Sequence, residues 1–234
     1  MMCKRFVIFV FFLCTSTAFL AQRDRVEYLP TFDDRRIHYG FYLGLNQNDF
    51  KINLQENNDV PNAGITVNPN IGFNIGLVAD LRLHKNLNLR FEPGLIANSK
   101  RIIFNHLIDE VDNFRDVSST FLHVPLVFKF SADRYRNIRP YVLGGVSYNY
   151  NLSSNQDNQE DNSAGEFRMT TNNFMYEVGV GIDIYLYFFK FSPSIRGIFA
   201  INNEIKYDND PNSQWTAPIS YMGTRGVFLT FSFE

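Results

Sequence analysis

Residues 70–84 read Asn-Ile-Gly-Phe-Asn-Ile-Gly-Leu-Val-Ala-Asp-Leu-Arg-Leu-His, and every odd position is apolar: Ile71, Phe73, Ile75, Leu77, Ala79, Leu81 and Leu83. Between them stand Gly72, Asn74, Gly76, Val78, Asp80, Arg82 and His84. Successive side chains of a β-strand point to opposite sides, so this spacing puts the two sets on opposite faces of one strand. An ordinary globular strand has about 5–6 residues. A strand that crosses a bilayer at a tilt needs roughly 9–11. The stretch is long enough to cross.

The same alternation recurs on both sides of it. Ile37, Tyr39, Phe41, Leu43 and Leu45 oppose His38, Gly40, Tyr42, Gly44 and Asn46 in a first strand. After the short turn Lys85-Asn86, Leu87, Leu89, Phe91, Pro93, Leu95 and Ala97 oppose Asn88, Arg90, Glu92 and Gly94. Residues 121–130, 139–151, 174–186 and 189–201 and a last segment carrying Val227, Leu229, Phe231 and Phe233 continue the pattern, although Gly144-Gly145 blurs the facing in one of them. That makes about eight strands, each able to pair with its neighbour as a hairpin. Polar connections over residues 53–70, 99–117, 153–166 and 202–218 alternate with short ones at 85–86, at 131–137 and directly after Leu186. Alternating long and short connections predict an all-β fold, an up-and-down antiparallel transmembrane β-barrel of about eight strands. The parity of strands then puts both termini and the short turns in the periplasm, and the long loops outside the cell.

The beginning of the chain agrees with export. Lys4 and Arg5 precede the apolar run 6–14 and a small-residue region, the pattern of a signal peptide over residues 1–21. Cleavage after Ala21 or after Ala18 fits. Cys14 as a lipid anchor fits less well, because Leu13 before it is bulky. Both cysteines, Cys3 and Cys14, fall in this leader, which excludes disulfides, thiolate metal sites and cysteine nucleophiles from the mature chain. Removing the leader leaves 20 basic against 24 acidic residues, a net charge of −4. No basic block of the kind nucleic acid requires is present. Residues 22–36, polar and charged around Pro30, read as a periplasmic N-terminal arm, and residues 37–234 as the barrel.

Alternation alone does not separate lipid from water, since a soluble lipocalin-like ligand-binding barrel also alternates. Its polar face, however, would be densely charged. Here that face is rich in glycine, asparagine and serine, which suit the crowded interior of an eight-stranded barrel. The charges it does carry, Asp80, Arg82, Arg90, Glu92, Lys129, Glu177, Asp183, Lys190 and Arg196, are candidates for the barrel interior. Buried there, they must pair with one another, because an isolated buried charge costs several kcal/mol. Trp215, the single tryptophan, falls in an outer loop and suits the membrane interface.

No catalytic constellation emerges. His38, His84, His106 and His123 are scattered, and none has a second histidine at metal-ligand spacing. Glu177 and Asp183 are six residues apart on one face, too far to act as an acid–base pair. Ser118, Ser119 and His123 are the nearest approach to a nucleophile with its base. The reading is of a protein that is not an enzyme, with no cofactor, no metal and no small-molecule substrate. A barrel of this size with a filled interior is also a poor pore.

The stretch YLPTFDDRRIHYGFYLGLN (Tyr28 to Asn46), continuing to Phe50, resembles the N-terminal signature of the PorT family of outer-membrane barrels in the type IX secretion system. FLHVPLVFKF (Phe121 to Phe130) and RPYVLGG (Arg139 to Gly145) resemble two strands of the wider outer-membrane β-barrel superfamily, whose small members are OmpA/OmpX-like. Phe233, with Phe231, Leu229 and Val227 behind it, resembles the terminal signal for barrel insertion, except that Glu234 follows the aromatic ring. The PorT resemblance implies a non-enzymatic component of type IX protein secretion and gliding, working in export or assembly through partners at the periplasmic face. It directs attention to Phe32, Asp33, Asp34, Arg35 and Arg36 as candidates for partner docking. The plainer alternative is a solvated cap over the barrel mouth, with the two arginines near lipid head groups. A generic small barrel for adhesion or envelope integrity is the other functional reading. Function would then lie in the loops.

Overall fold

The computed structural model describes residues 26–55, 64–107, 113–156, 167–211 and 213–234. Residues 1–21, read as a signal peptide, lie outside the described residues, as does most of the 153–166 loop. Ten strands form one antiparallel sheet: β1 (Ile37–Leu54), β2 (Ile65–Pro69), β3 (Ile71–His84), β4 (Leu87–Phe91), β5 (Gly94–Phe104), β6 (Phe114–Ser131), β7 (Ile138–Asn151), β8 (Asn172–Tyr185), β9 (Lys190–Ala200) and β10 (Ile219–Phe233). Among the described residues β3 pairs with β4 and β5, β2 with β5, β4 and β5 with β6, and from β6 to β10 each strand pairs with the next. The ring closes because β1 pairs on one side with β10 (Phe41 opposite Phe233) and on the other with β3 (Leu43 opposite Ile75).

The ten strands make eight passes, because two passes are each broken once. Pro69 and Pro93 mark the breaks, since proline offers no N–H to the ladder. Bonds across them hold the sheet together: Asn70 N donates to Ser99 O at 3.1 Å and Leu77 N to Pro93 O at 2.9 Å. Gly76 and Gly94 flank the second break because Tyr42 crosses the interior against them. A Cβ on Gly94 would sit 2.2 Å from the Tyr42 hydroxyl, and one on Gly76 2.6 Å from its ring.

Two loop assignments from the sequence need correction. Residues 65–69, 99–104 and 114–117 continue strands and do not form loops. There the outward residues include an ion pair, Arg101 to Asp116 at 2.7 Å, while Ile102, Phe104 and Val117 point inward and are buried. The facing is therefore reversed relative to the body of the barrel, apolar side in, and a pattern sought as apolar-out missed it.

Across the body of the barrel the outside is the apolar side. Tyr39 and Ile71 are each 74% exposed, and Leu77, Phe128, Val142, Val178, Ile195 and Val227 present themselves in the same way from successive passes. Soluble monomers rarely expose apolar patches beyond about 300–600 Å². A wall apolar all the way round, around a core of buried charge, is a surface made for hydrocarbon, and closure of the sheet removes the open edges that hydrocarbon does not tolerate.

Candidate functional site

The interior is layered from the short-turn end to the long-loop end. Along β6 the inward residues run Lys129, Val127, Pro125, His123, Phe121, Ser119, Val117 and Arg115; along β8 they run Asp183, Gly181, Gly179, Glu177, Met175 and Asn173. Charge therefore fills the half near the short turns, and beyond His123 and Glu177 apolar side chains such as Phe121, Val117 and Met175 share the interior with Ser119, Asn173 and Arg115.

The charged half is one network. Arg90 pairs with Glu92 at 2.9 Å, with Glu234 at 3.2 Å and with Asp80 at 3.7 Å. Arg196 makes a bidentate pair with the same Glu92 and lies 3.9 Å from Glu177, which His123 Nε2 meets at 3.2 Å. His123 Nδ1 contacts Asn149 Oδ1 at 2.6 Å, so both ring nitrogens are engaged. Lys129 holds both oxygens of Asp183 at 2.8 and 2.7 Å, and Lys190 holds Glu234 at 2.9 Å. Taking such ions out of water costs several kcal/mol each, and the mutual pairing offsets that cost.

Of the nine charges assigned to the interior from sequence, Asp80, Arg90, Glu92, Lys129, Glu177, Asp183, Lys190 and Arg196 are all buried in this network. Arg82 is the correction. It shares their face but sits at the strand end, half-buried and outside the network. Glu234 and His123 are the members that sequence reasoning missed. Parity would have found both: Glu234 follows Ser232 on the inward face, and His123 precedes Pro125.

The N-terminal arm closes the short-turn mouth. Phe32–Asp34 form one turn of 3-10 helix. The Phe32 ring stacks on His38 with centroids 4.2 Å apart, and Lys190 Nζ lies 4.9 Å above it. Asp33 accepts from the Tyr185 hydroxyl at 2.8 Å and faces Arg139 at 3.5 Å and Arg134 at 3.6 Å. The turn between β6 and β7 clamps the backbone ahead of it. Asn137 accepts from Tyr28 N at 2.8 Å and donates to Val26 O at 2.9 Å, while Arg134 donates to Leu29 O at 3.1 Å. Phe32 and Asp33 are thus turned into the mouth, whereas Asp34, Arg35 and Arg36 are exposed. Apart from the Phe32–His38 stack, these contacts join residues more than 100 positions apart, so no local pattern announces them. Nearby, the Lys85 ammonium and the Asn86 amide hold the exposed Asp133 carboxyl below its ordinary range.

Apolar residues seal the other end. Phe50, Ile102, Phe104, Val117, Phe167, Met169, Ile205, Ile219 and Met222 form a core into which residues 202–219 fold as a lid. Trp215 packs against this core under the Arg115 guanidinium, 4.9 Å above its ring, which corrects its assignment to the membrane interface. Within the lid Glu204 is fully buried and accepts from Thr224 Oγ1 at 2.6 Å. Burial holds its carboxyl above the ordinary range, against the opposing pull of Lys100. Among the described residues no group of three or more histidines, cysteines or carboxylates could hold a metal ion.

A closed eight-pass barrel with a hydrocarbon-facing wall and an ion-paired interior defines a small transmembrane β-barrel. Residues 20–206 match the family described as "Outer membrane protein beta-barrel domain", and the chain belongs to that family of the outer membrane. No curated protein matches it. Among solved structures it is similar to Neisserial surface protein A (TM-score 0.48, 8% identity, covering 85% of this chain and 98% of that one). It is also similar to the outer membrane protein OprG of Pseudomonas aeruginosa (0.42, 13%, 84% and 93%). A third is Ail, the attachment invasion locus protein of Yersinia pestis, in complex with the heparin analogue sucrose octasulfate (0.40, 10%, 85% and 99%).

Proposed function

We propose that this barrel is a non-enzymatic component of the type IX protein secretion and gliding machinery, with its short turns and arm in the periplasm and its long loops outside. The observation that carries the reading is the arm itself. It is fastened into the mouth by Phe32 and Asp33 while presenting Asp34, Arg35 and Arg36 outward. With an ion-paired interior, the arm at one mouth and an apolar core at the other end, the barrel offers its rims to partners. The resemblance of residues 28–50 to the PorT signature supplies the identity of the machinery. Replacing Asp34, Arg35 and Arg36 together by alanine leaves the buried contacts of the arm intact. Cargo export should then fall at unchanged barrel level, whereas unchanged export would remove the arm as the docking element.

A second reading, adhesion or envelope integrity, draws on the folded lid and its core at the long-loop end. In that case alanine replacement in the arm is silent, and shortening the 153–166 loop is not.

A further inference from the structure

One level of the outer wall carries short side chains across several passes. Just past the end of β6, Ala132 N donates to Pro140 O at 2.9 Å, and Pro140 on β7 lies opposite Ile182 on β8. Pro193 on β9 continues the row, since the pairs on either side of it are Gly181 with Ser194 and Ile184 with Phe191. Away from the short turns the next level is bulkier: Phe130, Val142, Val180, Ile195 and Leu229 follow one another as cross-strand pairs. On the turn side Ile138, Ile184, Phe191 and Phe233 are paired in the same way. Two proline rings and an alanine methyl between such ridges leave a groove of about 640 Å³. It reaches from Phe130 on β6 to Leu229 on β10, roughly 19 Å at a strand spacing of about 4.8 Å. Apart from Tyr141 and Ser194, only apolar residues line it. The turn between β6 and β7 lies at its edge. There Tyr135 and Arg136 are exposed, with the guanidinium 5.3 Å from the ring. Asp133 is held by Lys85 and Arg134 by Asp33, whereas Arg136 has no carboxylate partner among the described residues.

We propose that this groove holds one acyl chain of a phospholipid from the leaflet that meets the short turns, with the phosphate at Arg136. The groove opens on the wall that faces hydrocarbon, so chains of lipid are what reaches it. Left empty, it forfeits the dispersion contacts that close packing supplies. A straight methylene chain along its floor recovers them. A second barrel cannot, because its convex wall would rest on the two ridges and leave the floor bare. Arg136 follows Tyr135 at the level where aromatic rings and cations meet lipid head groups. Only four residues separate it from Pro140, which places it within about 14 Å of the groove. The site does not depend on the function proposed for the arm.

The probe is a phosphatidylglycerol with a photoactivatable diazirine midway along one chain, mixed sparsely into vesicles that hold the full folded protein. After illumination and digestion, label should fall on residues 130–142 and 180–195 at least fivefold more than on residues 71–83 of the opposite wall. A diacylglycerol with the same chain lacks the phosphate and should label the groove at least threefold less. Ile182→Trp fills the groove and should remove the preference, while Val146→Trp, exposed elsewhere on the same wall, should leave it. Even labelling round the wall, equal labelling by the diacylglycerol, undiminished labelling of Ile182→Trp, or exclusion of label from the groove by a second copy of the chain overturns the proposal. Should Ile182→Trp not fold, the wild-type pattern and the diacylglycerol comparison decide alone.

Discussion

The two halves of the interior solve one problem with opposite chemistry. Near the short turns the space is filled by ions that hold one another, with Arg90 and Glu92 at the centre. Near the long loops it is filled by a core like that of a water-soluble domain, around Ile102 and Phe104. The difference follows from the surroundings. Within hydrocarbon the outer face must be apolar, so strict alternation leaves the polar set to the interior. Beyond the lipid the strands face water, the alternation reverses, and apolar residues turn inward. The switch falls on β5 and β6, between residues that sit beside lipid and the Arg101–Asp116 pair that does not.

Removing one member of the ionic half should do the greatest damage. Glu92→Ala leaves Arg90 and Arg196 buried without their shared carboxylate and should cost about 3–5 kcal/mol. The cost should be the same at low and high salt, since buried pairs are screened little. Ile102→Ala in the apolar half should cost roughly 2–5 kcal/mol through the cavity it leaves. Urea unfolding in lipid vesicles, followed by heat-modifiable gel mobility, measures both. A Glu92→Ala cost that vanishes in salt would break the comparison.

Acidity should separate the two ends by sign. Glu204 is raised in the folded lid, so it binds its proton more tightly folded than unfolded, and lid stability falls as pH rises from the ordinary carboxylate value of about 4.3 through the folded one. Asp133 is lowered, so the stability it lends the short turn is present above its unfolded value and fades as pH falls. Trp215 is the only tryptophan and packs against the lid core, so its fluorescence reports that end alone. Its urea midpoint should be higher at pH 5 than at pH 8, and Glu204→Gln should flatten the difference. A midpoint that rises with pH would assign Glu204 the wrong sign.

The arm should respond most gently. Asp33→Ala removes charge-assisted contacts from a half-exposed site and should loosen the arm by about 1–2 kcal/mol. Trypsin should then cut after Arg35 and Arg36 roughly tenfold faster, while heat-modifiable mobility stays unchanged.

How much of this was legible depended on whether a contact follows from period. The barrel, its pass count and the inward set from Asp80 to Arg196 follow from a spacing of two. Glu234 obeys the same parity and escaped only because its position after Phe233 drew attention to the ring. The extensions of β2, β5 and β6 escaped because the solvent changes along the strand, which inverts the facing. The arm's contacts with Tyr185, Arg139 and Asn137 have no period at all. They are set by closure of the ring, which brings the start of the chain beside turns encoded 100 residues later.

The central claim is that lipid touches the odd face of residues 71–83 and the sealed interior the even one. With Cys3 and Cys14 replaced by serine, single cysteines can be placed at 73, 75, 77 and 79 and at 74, 76, 78 and 80 and carry a spin label in vesicles. Membrane-dissolved oxygen should relax every odd-position label, with a water-soluble nickel chelate reaching none, and even positions should be shielded from both or disrupt folding. Nickel relaxation at the odd positions, with oxygen contact at the even ones, would contradict the account.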